Sequence, residues 1–444
     1  MVKLADQVVA LRGKVFELVN GDSAITFPNE RFGPERFREI YSHPAARGRS
    51  EGAGLSDLFW YWLSPGPEVH QEHLEDGPRY DDVARATLRI LSGPSDRLAD
   101  MATRATAAVL DGFGGGLVRL RDLMMPVWAE YCYELVFQES CPREARDLIV
   151  GHANDVVTAL KCTGLRHMGR RNRLTRYLAQ RLGDVPHELP ASLSPREQVH
   201  YLQGTFFNTA VVQLSEGMAH VLLALAQHPE VQERASEGDD RYLSHVLDET
   251  MRLYPLFGIA HRITKGEITL DEDTTLPAGS VLCFSYPAYH ATGYEDPERF
   301  DPDRWEALSA KDAHHIPFGI AANRPCPAWR LAPLAMRASL KEVLRRFTLD
   351  STVEHTRSLP SRGPCLLVPH GESVSPTRMR AIRTFLRVRD RWEEVWRSFV
   401  QLGLGTWMVL DARHRRLAGR YFAESPERTS SCPLPNSLPP SSSR

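Results

Sequence analysis

The chain has 444 residues, 42% of them hydrophobic, which suits one large core or two fused lobes and excludes a disordered protein. Its formal net charge of -2 gives no reason to expect a nucleic-acid partner. Its seven cysteines (Cys132, Cys141, Cys162, Cys283, Cys326, Cys365 and Cys432) are odd in number and show no zinc-type spacing, so a reducing cytoplasm fits better than a disulfide framework.

The first stretch, MVKLADQVVALRGKVFELVNGDSAITF, holds no run of about 18 apolar residues and no small-residue cleavage site, so neither membrane anchoring nor secretion is expected. Pro, Gly and Asp thicken in LSPGPEVHQEHLEDGP (63–78), which predicts a surface loop and leaves His70 and His73 in solvent. From Tyr80 to Leu225 apolar residues recur at three- and four-residue spacing and predict helices. Ser194-Pro195-Arg196-Glu197 is a helix start, with Ser as N-cap and Glu three residues on. The helix it opens runs to about Gln227 and is long enough to cross the whole domain.

After Asp240 the texture changes. A helix (YLSHVLDETMRLYP) stops at Pro255. Strand-like AHRIT, EITL and SVLCFSY follow, the last two separated by the turn-rich DEDTTLPAG. Then come a Pro- and Asp-rich meander (294–305), a loop (314–328), a helix from Trp329 to Phe347 and a last strand in LLVPH. The fold class is α+β, mainly helical, with small β-sheets late in the chain. Residues 1–370 form the expected catalytic domain. Residues 371–444 form an appendage, a solvated amphipathic helix and then a disordered tail, with 13 Arg against 7 Asp plus Glu.

Four features in fixed order carry chemistry. Glu249 and Arg252 share a helix face and can pair. Arg304, in the meander, can close a buried network around the Glu249 carboxylate. Arg262 opens a strand and can face an anionic cofactor edge. Arg324 lies two residues before Cys326, in a Gly/Ala/Pro loop that runs into a helix. There a thiolate is stabilised by the helix dipole and free N–H groups, and cysteine thiolate is the ligand that drives electron density onto haem iron.

Together these residues resemble the cytochrome P-450 family of haem-thiolate monooxygenases, over roughly residues 35–370. The resemblance implies a triangular, mainly helical fold with haem b between the central helix and the Cys loop. It implies Cys326 as the metal ligand, and Glu249, Arg252 and Arg304 as a structural network. Arg262, Arg324, Phe318, Gly319 and Ala328 take cofactor-contact positions. On the helix that usually supplies propionate contacts, the candidates are Tyr80 and Arg85, with Arg79 beside them.

The sequence departs from the pattern in two places. Phe318 lies eight residues before the Cys instead of seven, and Ala322 and Ala328 stand where glycines are expected. The acid and threonine that deliver protons in many members fall at Val212 and Gln213. Asn208-Thr209 lies a turn too early and Glu216 a turn later. The implied function is oxidation of a small organic molecule, as in secondary-metabolite tailoring, with dioxygen and electrons from a ferredoxin and ferredoxin reductase. The alternatives are peroxide use or a non-hydroxylating oxidation, and a non-catalytic haem-binding protein. No nucleic-acid or membrane partner is expected.

Overall fold

The structure, a computed structural model, describes Gln7 and residues 24–309, 313–353 and 364–424. The expected disordered tail lies outside the described residues. Most of the described chain is helical. The strands are β1 (Ile25–Phe27), β2 (Gly116–Arg119), β3 (Ile259–Ile263), β4 (Ile268–Asp271), β5 (Thr274–Leu276), β6 (Val281–Ser285), β7 (Phe347–Asp350) and β8 (Pro364–Pro369). They form three small sheets, of strand order β1-β6-β3, β2-β8-β7 and β4-β5. The stretch read as turn-rich between two strands contributes β5, and β4 and β5 pair as an antiparallel hairpin.

The central helix, Pro195–Gln227, starts where the sequence places it. The Ser194 hydroxyl accepts from the Glu197 N–H, and the Glu197 carboxylate accepts from the Ser194 N–H at 2.9 Å, a reciprocal cap. Arg79 binds the same carboxylate at 2.6 Å and ties in helix Pro78–Leu91. Most side chains beyond Val211 are buried on every face, because helices pack all round it. It is the one helix among the described residues long and apolar enough to cross a membrane, and its apolar window is 78% buried inside the protein. At Thr205–Ala210 the winding opens into a π turn, a local widening of a kind often found at functional sites.

The main core gathers around this helix, with Trp128, Tyr131 and Tyr133 fully buried beside it. A second core joins β1, β3 and β6 to helix Pro34–Ser42 through Phe27, Phe37 and Phe284. Gly48 locks onto β3 by two backbone hydrogen bonds with Ile263, at 2.9 and 2.8 Å. A Cβ at Gly48 would meet the Ile263 carbonyl at 2.5 Å, so this close approach requires glycine.

Glu249 is fully buried. Arg252 grips it with two bonds of 2.9 Å, Arg304 donates at 2.9 Å, the Trp305 indole at 3.0 Å and the Asp301 N–H at 2.9 Å. Two guanidiniums, an indole and an amide on one carboxylate leave it no lone pair to spare, and join the helix Asp240–Leu253 to the meander.

The segment after β8 forms one helix of 40 residues, Pro376–Arg415, and a short one, Leu417–Glu424. The long helix is not freely solvated as expected. Met408, Val409 and Ala412 pack on Leu58, Tyr61 and Trp62 of helix Gly54–Leu63 and on Ala159 and Cys162.

Candidate active site

One cavity of about 590 Å³ lies between the central helix and the Cys loop. Cys326 lines it, together with Phe318 and Gly319 of the preceding turn. The loop closes on itself when the Cys326 N–H donates to the Phe318 carbonyl at 2.9 Å. Gly319 sits at φ +79, which suits glycine. Arg324 holds φ +55, and Asn323 anchors the turn to the Tyr41 and Ala46 carbonyls at 2.6 and 2.9 Å. The helix beyond begins at Leu331, and the Ala328 N–H donates to the cysteine sulfur. Ala328 itself packs into the core and is not part of the cavity wall.

Burial pushes the Cys326 thiol up to about 11, against the pull of that N–H, and the Glu72 charge adds to the rise. So reluctant a thiol ionises when a metal cation takes the proton's place.

At one edge of the cavity three arginines converge. Arg262 is buried and donates to the Tyr41 hydroxyl. Arg49 is placed beside it by the Gly48–Ile263 bridge. Arg324 donates to the Gln71 carbonyl at 2.8 Å and lies 3.7 Å over the Tyr80 ring, so Tyr80 supports the arginine from beneath. Burial lowers Arg262 to about 10, with Arg49 adding to the shift, so it stays charged near neutral pH. Glu72 is the carboxylate they share: burial would raise it, but Arg49, Arg262, His70 and Arg324 together hold it below its ordinary range. Asp76 approaches Arg324 to 3.9 Å from the rim. Three cations meet one cavity-lining carboxylate at this edge and one more at the rim, so positive charge is left over. Nε of Arg49, Nε of Arg262, and Nε and Nη1 of Arg324 are buried N–H groups without an acceptor. A flat group bearing two carboxylates and an iron that takes a thiolate answers this donor set, and haem with its two propionates is such a group.

The opposite wall comes from scattered segments. The central helix contributes Asn208, Thr209, Val212, Gln213, Glu216 and His220, so the positions expected for oxygen handling do face the cavity. Glu216 is engaged as a salt-bridge partner, accepting from Lys161 at 2.5 Å and lying 3.3 Å from Arg121. Lys161, also in the wall, is lowered to about 8, chiefly by burial, with Glu216 opposing the shift.

Four expectations meet a different arrangement. Arg85 is 67% exposed on its side chain and pairs with Asp82 at 3.8 Å, away from the cavity, because it lies five residues and about 140° of helix from Tyr80. Arg79 is spent on the cap of the central helix. His70 and His73 are not in solvent: both are buried in the cavity wall, and His70 Nε2 lies 2.6 Å from the Thr209 hydroxyl. Burial holds both imidazoles below their ordinary range, His73 well below it, with His70 adding to the His73 shift. Arg49, Glu72 and Lys161 were not anticipated. A faint signal for Arg49 is the glycine before it, which marks a close backbone approach.

A thiol under a cavity, a widened helix above it and surplus arginines at its edge define a haem-thiolate class of protein. Residues 124–373 match the Cytochrome P450 family, and the chain belongs to that family, whose cofactor is haem. A segment of 181 residues is 31% identical to "Putative cytochrome P450 135B1" of Mycobacterium tuberculosis, covering 36% of this chain and 38% of that protein. Another, of 141 residues, is 31% identical to "Cyclooctat-9-en-7-ol 5-monooxygenase" of Streptomyces melanosporofaciens, covering 27% and 30%. The chain thus aligns with well under half the length of these relatives. A six-coordinated cytochrome P450 from Thermus thermophilus shares the fold, with TM-score 0.59, 20% identity and coverage of 75% of this chain and 88% of that one. The retinoic-acid-bound cyanobacterial CYP120A1 does so with TM-score 0.62, 17% identity and coverage of 76% and 87%.

Proposed function

We propose that the protein oxidises a small, largely apolar organic molecule, with haem b held on Cys326. The observation that carries this reading is Cys326 and the unanswered arginines at two edges of one cavity. Haem, when bound, supplies the iron at which dioxygen is reduced and an oxygen atom is passed to substrate. The chain's own part is to orient, exclude water and move protons. Arg49, Arg262 and Arg324 bind the propionates. Val156, Val157, Leu160, Val212, Leu256 and Phe257 give the substrate a dry, apolar wall. The similarity to a cyclooctat-9-en-7-ol 5-monooxygenase supports an apolar substrate. Electrons come from a ferredoxin-type partner and its reductase. The cytoplasm is the proposed compartment, consistent with an odd number of cysteines at no disulfide-framework or zinc spacing.

Gln213 can hydrogen-bond but cannot titrate, and Val212 offers no acid. We assign proton entry instead to His70 and Thr209, whose contact reaches the cavity from the loop side. A second reading rests on the same Val212–Gln213 pair: peroxide as the oxidant, with no proton relay needed. Turnover of a substrate that shifts the Soret band, with ferredoxin and reductase on one side and with peroxide alone on the other, separates the two. Thr209→Val should raise peroxide leakage in the reductase-driven reaction and leave haem content unchanged. Unchanged leakage would remove His70 and Thr209 from the proton route.

A further inference from the structure

The long helix Pro376–Arg415, beyond the residues that match the family, carries a second pattern on its outer face. Phe385, Val388, Trp392, Trp396, Phe399, Trp407 and Leu410 are each more than half exposed. With Gly403 they follow the spacing 3-4-4-3-4-4-3. At about 100° per residue they fall within an arc of about 100°, and the roughly 25 steps from first to last span about 38 Å. The buried residues of the helix (Leu386, Ser398, Gln401, Gly405, Met408, Val409 and Ala412) lie on the other side. Gln401 lines the cavity, so the stripe covers the outside of a cavity wall. An exposed row of three tryptophans and two phenylalanines is far from an ordinary monomer surface.

We propose that this stripe lies on a lipid bilayer surface bearing anionic headgroups. Three observations select that partner. The helix holds nine arginines against four acidic residues. Exposed arginines flank the aromatic stretch at both ends, Arg378 and Arg380 before it and Arg413, Arg415 and Arg420 after it. Cationic ends around a Trp- and Phe-rich face suit the interface, where indoles and guanidiniums meet headgroups while apolar rings sit below them. The make-up of the face, not its repeat alone, weighs against a second copy of the helix. Phe385, Trp396 and Trp407 recur at 11 residues, as do Val388, Phe399 and Leu410. An 11-residue repeat is about 3.67 residues per turn, close to the straight helix, so the stripe stays on one side and meets a plane. The same repeat in a helix pair would wind a right-handed supercoil, but three tryptophans with a glycine make poor knobs for the holes of such a seam. This is not anchoring by a spanning segment: the helix would lie in the interface.

The test uses the full-length haem-loaded protein with vesicles of phosphatidylcholine alone and of phosphatidylcholine mixed with phosphatidylglycerol. The wild-type protein should sediment with the anionic vesicles, release them as salt rises, and bind the neutral ones less. The combined variant Trp392→Ser/Trp396→Ser/Phe399→Ser/Trp407→Ser should lose vesicle binding while keeping its circular dichroism and carbonyl spectrum. Should that variant fail to fold, the native rings still report: in a Trp329→Phe background, brominated lipid tails should quench tryptophan emission. No wild-type sedimentation with either vesicle, equal sedimentation of the variant, or no quenching would overturn the proposal. So would a wild-type dimer that the variant breaks while neither protein binds vesicles.

Discussion

The two walls of the cavity are built differently. The wall that carries Cys326 comes from one continuous stretch, residues 317–326, whose start is bonded through His315 to Asp248 of the helix that the 294–305 meander braces. The rest of the lining is gathered from segments distant in sequence, among them Arg49, His70, Lys161, Gln213 and Gln401. A continuous wall is fixed by local geometry and keeps its chemistry in recognisable spacing. An assembled wall depends on packing, and its chemistry follows whatever tertiary contacts bring together. The two should therefore fail in different ways.

The largest effect should come from the bracing network. Glu249→Ala strands two buried guanidiniums, and Arg252→Ala strands a buried carboxylate, each at roughly 3–5 kcal/mol. Little soluble haem-loaded protein should be recovered from either. Normal expression and haem content would show that the continuous wall does not rely on this network.

Next in size is cofactor retention. Arg324→Ala removes a charge-assisted contact of about 1.5–3 kcal/mol, so haem transfer to apomyoglobin should speed up by about ten- to a hundred-fold. Arg85→Ala, at a solvent position on the neighbouring helix, should leave the transfer rate alone. Equal rates for both variants would break the assignment of the arginine cluster.

This contrast bears on how much the sequence discloses. The central helix, its cap at Ser194, Glu249 with Arg252 and Arg304, and the loop around Cys326 are all readable, because each is a local spacing with a local physical meaning. Arg49 is not, since its place depends on Gly48 bridging to a strand more than 200 residues away. His70 and His73 are misread because their loop is polar, yet it folds inward and packs His70 against Gly204 and Thr209. Tyr80 and Arg85 look interchangeable in sequence, and helix phase alone separates them. The docked face of helix Pro376–Arg415 is hidden for the same reason: its partners lie in residues 58–62 and 159–162.

The assembled wall should also be the one that acid weakens. His152, on the helix Arg143–Leu160 that supplies Val156, Val157 and Leu160, is pushed down to about 3 by burial, with the Arg171 charge adding to it. A folded value below the ordinary 6.5 means that the unfolded chain binds more protons between those two pH values. Stability should then fall as pH drops from 6.5 toward 3, and the residue adds no pH dependence above that window. His152→Gln should flatten this part of a Tm-against-pH curve. An unchanged slope would place the acid sensitivity elsewhere.

The smallest expected effect is on the sulfur itself. Ala328 already donates an N–H to Cys326, whereas Pro327 has none to give. Pro327→Leu restores an N–H next to the ligand, drains charge from the thiolate and should raise the iron reduction potential slightly. A potential that stays put or falls would leave Pro327 only the role of stiffening the loop.

The central claim is that Cys326 holds the iron, and the carbon monoxide difference spectrum of the reduced protein tests it most directly. The wild-type protein should give the long-wavelength Soret band of a thiolate-ligated haem, and Cys326→Ala should lose that band even where haem is still bound. A Cys326→Ala protein that kept the thiolate-type band would contradict the account.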